Sequence, residues 1–246
     1  MSVVAAAVVP SPPLLARELT GGAVVLPDLR AACLAAVGRL LAAGPDLVAV
    51  VGGGPATQAW EPDARLRAAA FAPQLGPRAG QAVKVAAGKP GLPLAAGIGA
   101  MLLDEAGYTG SRALLAVDAL GAPAECIAAG AALAALAPGV ALLAVGDGSA
   151  RRTLTAPGYL DERAAPFDAL VEGAFRAGDM AALAALDAAL ATELMATGRA
   201  AWQALAGAVG PERRVPAEVL YAGLPYGVTY LVAVMDARPA RPGLAS

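Results

Sequence analysis

Short apolar runs closed by glycine or proline alternate along this chain with longer amphipathic stretches. Val3–Val9 is the first run, uncharged and rich in β-branched residues, the pattern of a strand buried on both faces. From Asp28 to about Ala43, the residues Leu29, Cys33, Ala36, Val37, Leu40 and Leu41 recur at helical spacing, and Gly44-Pro45-Asp46 ends the helix. Leu47–Val51 predicts a second buried strand running into Gly52-Gly53-Gly54-Pro55. Strand, helix and strand in this order make a βαβ unit, hence a parallel pair.

Residues 56–92 read as loop, with Pro62, Pro73, Pro77 and Pro90 and one short strand near Ala68–Ala72. Leu94–Ala106 predicts a helix, Ala113–Val117 a strand and Pro123–Leu136 a helix. Val140–Val145 predicts another buried strand, ending in Gly146-Asp147-Gly148-Ser149. Arg151–Arg163 reads as a polar loop, and Pro166–Ala208 as helix in pieces broken near Gly178-Asp179 and Gly198. Val215–Ala222 and Val228–Val234 predict strands joined by Gly223-Leu224-Pro225-Tyr226-Gly227, a hairpin. The tail from Asp236 carries Pro239 and Pro242 without periodicity and is expected to fray. With no linker and no internal repeat, residues 1–246 are expected to form a single α/β domain. Its central sheet is expected to be mixed but mostly parallel, flanked by helices, with a C-terminal β-hairpin.

Composition narrows the chemistry sharply. The 246 residues include no histidine. Histidine is the commonest metal ligand and the usual general base near neutral pH. Its absence excludes Ser-His-Asp and Cys-His hydrolases, His-ligated zinc and the two-His-one-carboxylate iron site. The alanine excess matches what a GC-rich genome imposes and carries no functional signal. A net charge of -2 without a basic stripe argues against nucleic acid. Cys33 and Cys126 lie far apart in alanine-rich helical stretches and read as buried thiols, not as a disulfide or metal pair. Met1–Ala16 lacks a basic n-region and runs into Pro10-Ser11-Pro12-Pro13, and Pro138-Gly139 breaks the uncharged stretch from Cys126 to Val145. A soluble, cytoplasmic protein without a membrane segment is expected.

In open α/β sheets, ligands bind beyond the carboxyl ends of the strands. Three such loops stand out: Pro10-Ser11-Pro12-Pro13, Gly52-Gly53-Gly54-Pro55 and Gly146-Asp147-Gly148-Ser149-Ala150-Arg151-Arg152. In the last, two glycines permit an anion-binding backbone nest, and Arg151 and Arg152 suit a carboxylate or phosphate. A small anionic ligand is therefore expected, weighed against a plain turn with solvated arginines. Neither Gly52-Gly53-Gly54 nor Gly97-Ile98-Gly99 fits a nucleotide fingerprint. No Gly-x-Ser-x-Gly elbow is present, and Asp104-Glu105 and Asp161-Glu162 read as solvated turns.

Taken in order, these loops resemble those of the class III extradiol ring-cleavage dioxygenases, the LigB-like superfamily that includes the Memo-like proteins. The likeness covers most of the chain. It is strongest at Val8–Leu15, Val50–Pro55, Gly146–Arg152 and Trp202–Ala208, with Tyr226-Gly227-Val228-Thr229-Tyr230 similar to the alanine-rich bacterial branch. The resemblance implies an iron-ligand histidine where Ser11 stands and a second near Gly54 or Pro55. It also implies a catalytic histidine where Ala150 stands and an acidic ligand near Gly198, Glu193 being the nearest carboxylate. All of these are missing, so the scaffold is expected without the family's iron, with no cofactor and without ring cleavage.

The leading expectation is a binding or accessory protein that keeps the cleft, roomier unless neighbours have collapsed into it, Ser11, Gly54 and Ala150 converging there and Asp147, Arg151 and Arg152 lying at its mouth. An alternative is metal-independent catalysis in the same cleft by Asp147, Ser149, Arg151, Arg152 and tyrosines such as Tyr159 or Tyr226, or a residual oxidoreductase activity of the family. A third is a structural subunit presenting an interface, as a homo-oligomer or to a partner chain.

Overall fold

The computed structural model describes residues 2–17, 19–66 and 91–238. In chain order the elements are β1 (Ser2–Val9), α1 (Pro27–Ala42), β2 (Leu47–Gly54), β3 (Gln58–Trp60), α2 (Leu94–Glu105), β4 (Arg112–Asp118), α3 (Pro123–Ala134) and β5 (Gly139–Val145). There follow α4 (Ala164–Ala177), α5 (Met180–Ala184), α6 (Ala188–Glu193), α7 (Arg199–Val209), β6 (Ala217–Gly223) and β7 (Tyr230–Asp236). Seven strands form one sheet in the order β3-β4-β2-β5-β1-β7-β6. Its core β4-β2-β5-β1 is parallel, while β3 pairs antiparallel with β4, β7 with β1 and β6 with β7. This is the single α/β domain with a mixed sheet and a C-terminal hairpin expected from the sequence.

Strand alternation divides the core into two layers. On β5, Ala141, Leu143 and Val145 face α1 and α2, whereas Val140, Leu142 and Ala144 face α4, α5 and α7. Both faces are covered, which explains the uninterrupted apolar runs of β1, β2 and β5. On the second face α3 and α7 approach closely. A Cβ on Gly130 would run into the Ala204 carbonyl, and one on Gly207 into that of Ile127.

Several boundaries differ from the sequence reading. The glycines after Val51 belong to β2, with Gly52, Gly53 and Gly54 paired to Ala116, Val117 and Asp118. Close packing explains the first of them, since a Cβ on Gly52 would lie 2.6 Å from the Ala95 Cβ at the start of α2. The three-residue edge strand β3, too short to show alternation, falls in a stretch read as loop. The helical stretch before Ala208 is divided into four. Gly178 turns the chain at φ 58°, Asp179 accepts a hydrogen bond from the Ala182 N–H at 3.0 Å, and Asp187 caps α6 in the same way. Asp236 closes β7 and does not begin a frayed tail: Ala237 is buried, and its carbonyl accepts from Arg213 Nη2 at 3.0 Å. The strand expected at Ala68–Ala72 and the tail beyond Arg238 lie outside the described residues. No described helix is long and apolar enough to cross a membrane.

Candidate functional site

The alternation that places Val9 and Val145 on the α1 face carries two residues further, to Ser11 and Asp147, at the carboxyl ends of β1 and β5. There the Ser11 N–H donates to Asp147 Oδ1 at 2.6 Å, and the Ser11 hydroxyl lies 3.4 Å from the same oxygen. The Gly146 N–H donates to the Val9 carbonyl at 3.0 Å, and the Gly198 N–H to the Asp147 carbonyl at 2.8 Å. The Asp147 N–H reaches Thr197 Oγ1 at 3.2 Å. A Cβ on Gly53 would lie 3.3 Å from the Thr197 carbonyl, and one on Gly146 would strike Gly198 Cα. The ends of β1, β2 and β5 therefore gather around the turn before α7.

Of the positions matched to the dioxygenase ligands, Ser11 and Gly198 both contact residues 146–147. Gly54 packs instead against Ala116 and Pro93, and the Ala150 N–H donates to the Leu194 carbonyl at 3.2 Å. A side chain at position 198 would enter the Trp202 indole, whose buried Nε1 has no hydrogen-bond partner. The Glu193 carboxylate pairs with Arg163 at 2.6 Å. The site does not fit ferrous iron. Its donors are one hydroxyl beside Asp147 and residues without side-chain ligands, and among the described residues no three His, Cys, Asp or Glu side chains form a ligand set.

Asp147 is the electrostatic centre. Burial pushes its carboxyl up from 3.8 to about 6, against the pull of the Ser11 N–H and hydroxyl. Among the described residues, no cation is among the groups that act on it. Its charge reaches two side chains on the α1 face, Tyr230 and Cys33. Burial first, then Asp147, Tyr226 and Tyr221, raise the Tyr230 phenol. Burial also pushes the Cys33 thiol up to about 12, opposed by Arg30 and reinforced by Asp147, so this thiol is inert as a nucleophile. The signal that could have located Tyr230 was its place at the head of the Val228–Val234 run, on the same face as Val145.

The remaining candidates are tied into the fold. The Ser149 hydroxyl donates to the Leu194 carbonyl at 2.9 Å and accepts from the Arg151 N–H at 3.1 Å. The Ser149 N–H donates to Asp168 Oδ1 at 2.9 Å, and the Thr229 hydroxyl to Asp168 Oδ2 at 2.5 Å. The sequence offers Arg151 and Arg152 to an anion, and each guanidinium group already donates within the chain. Arg152 Nη1 donates to Asp168 Oδ2 at 3.0 Å and to Thr229 Oγ1 at 3.2 Å. Arg151 donates from Nε to the Gly158 carbonyl at 2.8 Å and from Nη1 to the Glu193 carbonyl at 2.9 Å. Asp168, buried in helix α4, escaped the sequence reading because one acidic residue in an amphipathic helix reads as solvated. Tyr159 and Tyr226 are exposed on neighbouring loops.

Three open cavities lie among the described residues. A groove of about 420 Å³ lies at the other end of the strands, between α1 and the β1-β7-β6 edge, lined by Ala5, Arg39, Leu40, Glu218 and Val234 among others. Two further hollows lie near Arg65. None of the three is lined by Ser11, Gly54, Asp147, Ala150 or Gly198.

No family model matches this chain, and no curated protein matches it. Among solved structures, it is similar to the crystal structure of an uncharacterized protein, JW3007, from Escherichia coli K12, at a TM-score of 0.52 and 17% sequence identity. That likeness covers 94% of this chain and 99% of the other, and it is a likeness of fold: both chains build the same α/β architecture over nearly their whole length.

Proposed function

We propose that this chain is a histidine-free relative of the class III extradiol dioxygenases that does not cleave aromatic rings and acts as a binding or accessory protein. The donor chemistry of Ser11, Gly54, Ala150 and Gly198 supports the first half of this reading, since none of these side chains is an imidazole or carboxylate. Support for the second half comes from Asp147, a largely buried carboxyl held by Ser11 with no cation beside it among the described residues. A group so placed costs stability unless it serves a ligand.

With Arg151 and Arg152 already donating to Gly158, Glu193, Asp168 and Thr229, the ionisable group without an ion-pair partner among the described residues at the strand ends is Asp147. The ligand chemistry it favours is a neutral or cationic small molecule that donates a hydrogen bond to Asp147, not an anion. The second reading, metal-independent acid–base chemistry, has the same residue in its favour, because a carboxyl with a pKa of about 6 exchanges its proton near neutral pH.

Binding of a panel of amines, neutral polyols and phenols, and carboxylates is measured calorimetrically on the wild type and on Asp147→Asn. Amines or neutral donors that bind the wild type and lose at least about tenfold in the variant support the reading. Binding confined to carboxylates, or unchanged by the substitution, overturns it. A catechol with added ferrous iron is expected to give no ring-opened product, and turnover dependent on the iron refutes the loss of ring cleavage.

A further inference from the structure

Above the strand ends, three loops meet in one exposed surface. A Cβ on Gly158 would lie 2.6 Å from Met195 Sδ, and one on Gly227 2.7 Å from the Ala156 Cβ. The Arg152 N–H donates to the Gly227 carbonyl at 3.2 Å, and the Tyr159 N–H to that of Ala156 at 2.9 Å. Segments 153–160, 194–198 and 224–230 are thus one neighbourhood, and none contains a charged residue. Large apolar side chains stand out of it: Leu154 is 75% exposed, Tyr159 73%, Tyr226 62% and Met195 46%, with Leu160 and Leu224 beside them.

The backbone adds a second observation. Among the described residues, four that are not glycine have positive φ, and three of them are Tyr159 (58°), Met195 (56°) and Tyr226 (57°). Bulky side chains rarely adopt this conformation, which suits glycine and asparagine. Here it places two exposed tyrosines and a half-exposed methionine on the surface.

We infer that this surface is the contact through which the chain pairs with a second copy of itself. On the order of 600 Å² of apolar side chain is in view, near the upper end of what a monomer leaves exposed and close to the ~800 Å² that each partner gives to a stable interface. The charge pattern selects the occupant. A two-fold interface sets a surface against itself, so any net charge would repel its own image, and an uncharged patch meets its copy without that cost. The flanking charges are already balanced locally, Arg163 pairing with both Asp161 and Glu193. Tyrosine and methionine are residue types enriched at the centres of protein interfaces.

The test is sedimentation of the full chain from about 1 to 100 μM, with the variants Tyr159→Asn and Tyr226→Asn. Asparagine tolerates positive φ, so neither variant is expected to lose thermal stability, while each removes an aromatic ring from the patch. The wild type is expected to dimerise in this range, each variant to weaken the dimer at least about tenfold, and Arg39→Glu, at the opposite groove, to leave it unchanged. Circular dichroism confirms that each variant is folded. If asparagine unfolds either position, Leu154→Glu on the same surface replaces it. A wild type monomeric throughout, or a dimer that survives every patch substitution, overturns the inference.

Discussion

Asp147 and the arginines that follow it take hydrogen-bond partners that their positions in the chain do not suggest. Position along the chain puts four polar residues in one loop, but the fold turns Arg151 and Arg152 toward internal carbonyls and Asp168, leaving Asp147 with Ser11. Because the folded pKa of Asp147 lies above its ordinary value of 3.8, the protein holds this proton more tightly when folded. That stabilising contribution is complete below pH 3.8 and is lost as pH rises through about 6. Asp147→Asn, whose amide oxygen can still accept from Ser11, is therefore expected to match the wild type at low pH and to exceed it at pH 7 by about 1–2 kcal/mol. Denaturant titrations from pH 4 to 8 measure the difference, and an unchanged slope would mean that the carboxyl is well solvated. Asp168→Ala should act in the opposite sense. It strips Arg152, Thr229 and the Ser149 N–H of their shared acceptor, a loss of about 3 kcal/mol.

At the scale of elements, the contact between α3 and α7 makes a prediction opposite to helix propensity. Alanine is the better helix former by about 1 kcal/mol, and in α4 a Cβ on Gly173 would meet nothing within 4 Å, so Gly173→Ala should stabilise by about 0.5–1 kcal/mol. Gly130→Ala and Gly207→Ala gain the same propensity, yet each methyl enters the facing helix backbone, and α3 must move off α7. Each should cost about 2 kcal/mol or more, read as a lower melting temperature in the same assay. The sequence supplied no means of separating these glycines, since all three lie in alanine-rich amphipathic stretches. What separates them is the helix that sits opposite. The breaks near Gly178-Asp179 and Gly198 were legible because glycine and a capping aspartate act locally, whereas β3 depends on β4 being beside it.

For the whole molecule, the missing imidazoles carry a global expectation. If no metal holds the ends of β1, β2 and β5 together, a chelator should leave the melting temperature within about 1 °C, and added ferrous iron should not raise it. A rise of several degrees with one equivalent would point to a ligand set outside the described residues. The alternating pattern was enough to determine the order of elements, the buried parallel strands and the hairpin, because burial on both faces of a sheet demands continuous apolar runs. The absence of histidine likewise removes imidazole as a ligand or base from this chain, composition being independent of folding. Only the tertiary structure decided which polar residues remain available. Hydrogen-bond partners lie far apart in the chain, as Ser11 and Asp147 do across 136 positions, and no local pattern records them. It also decided that Gly146 packs against Gly198 at the strand ends, since backbone approach depends on where whole elements meet.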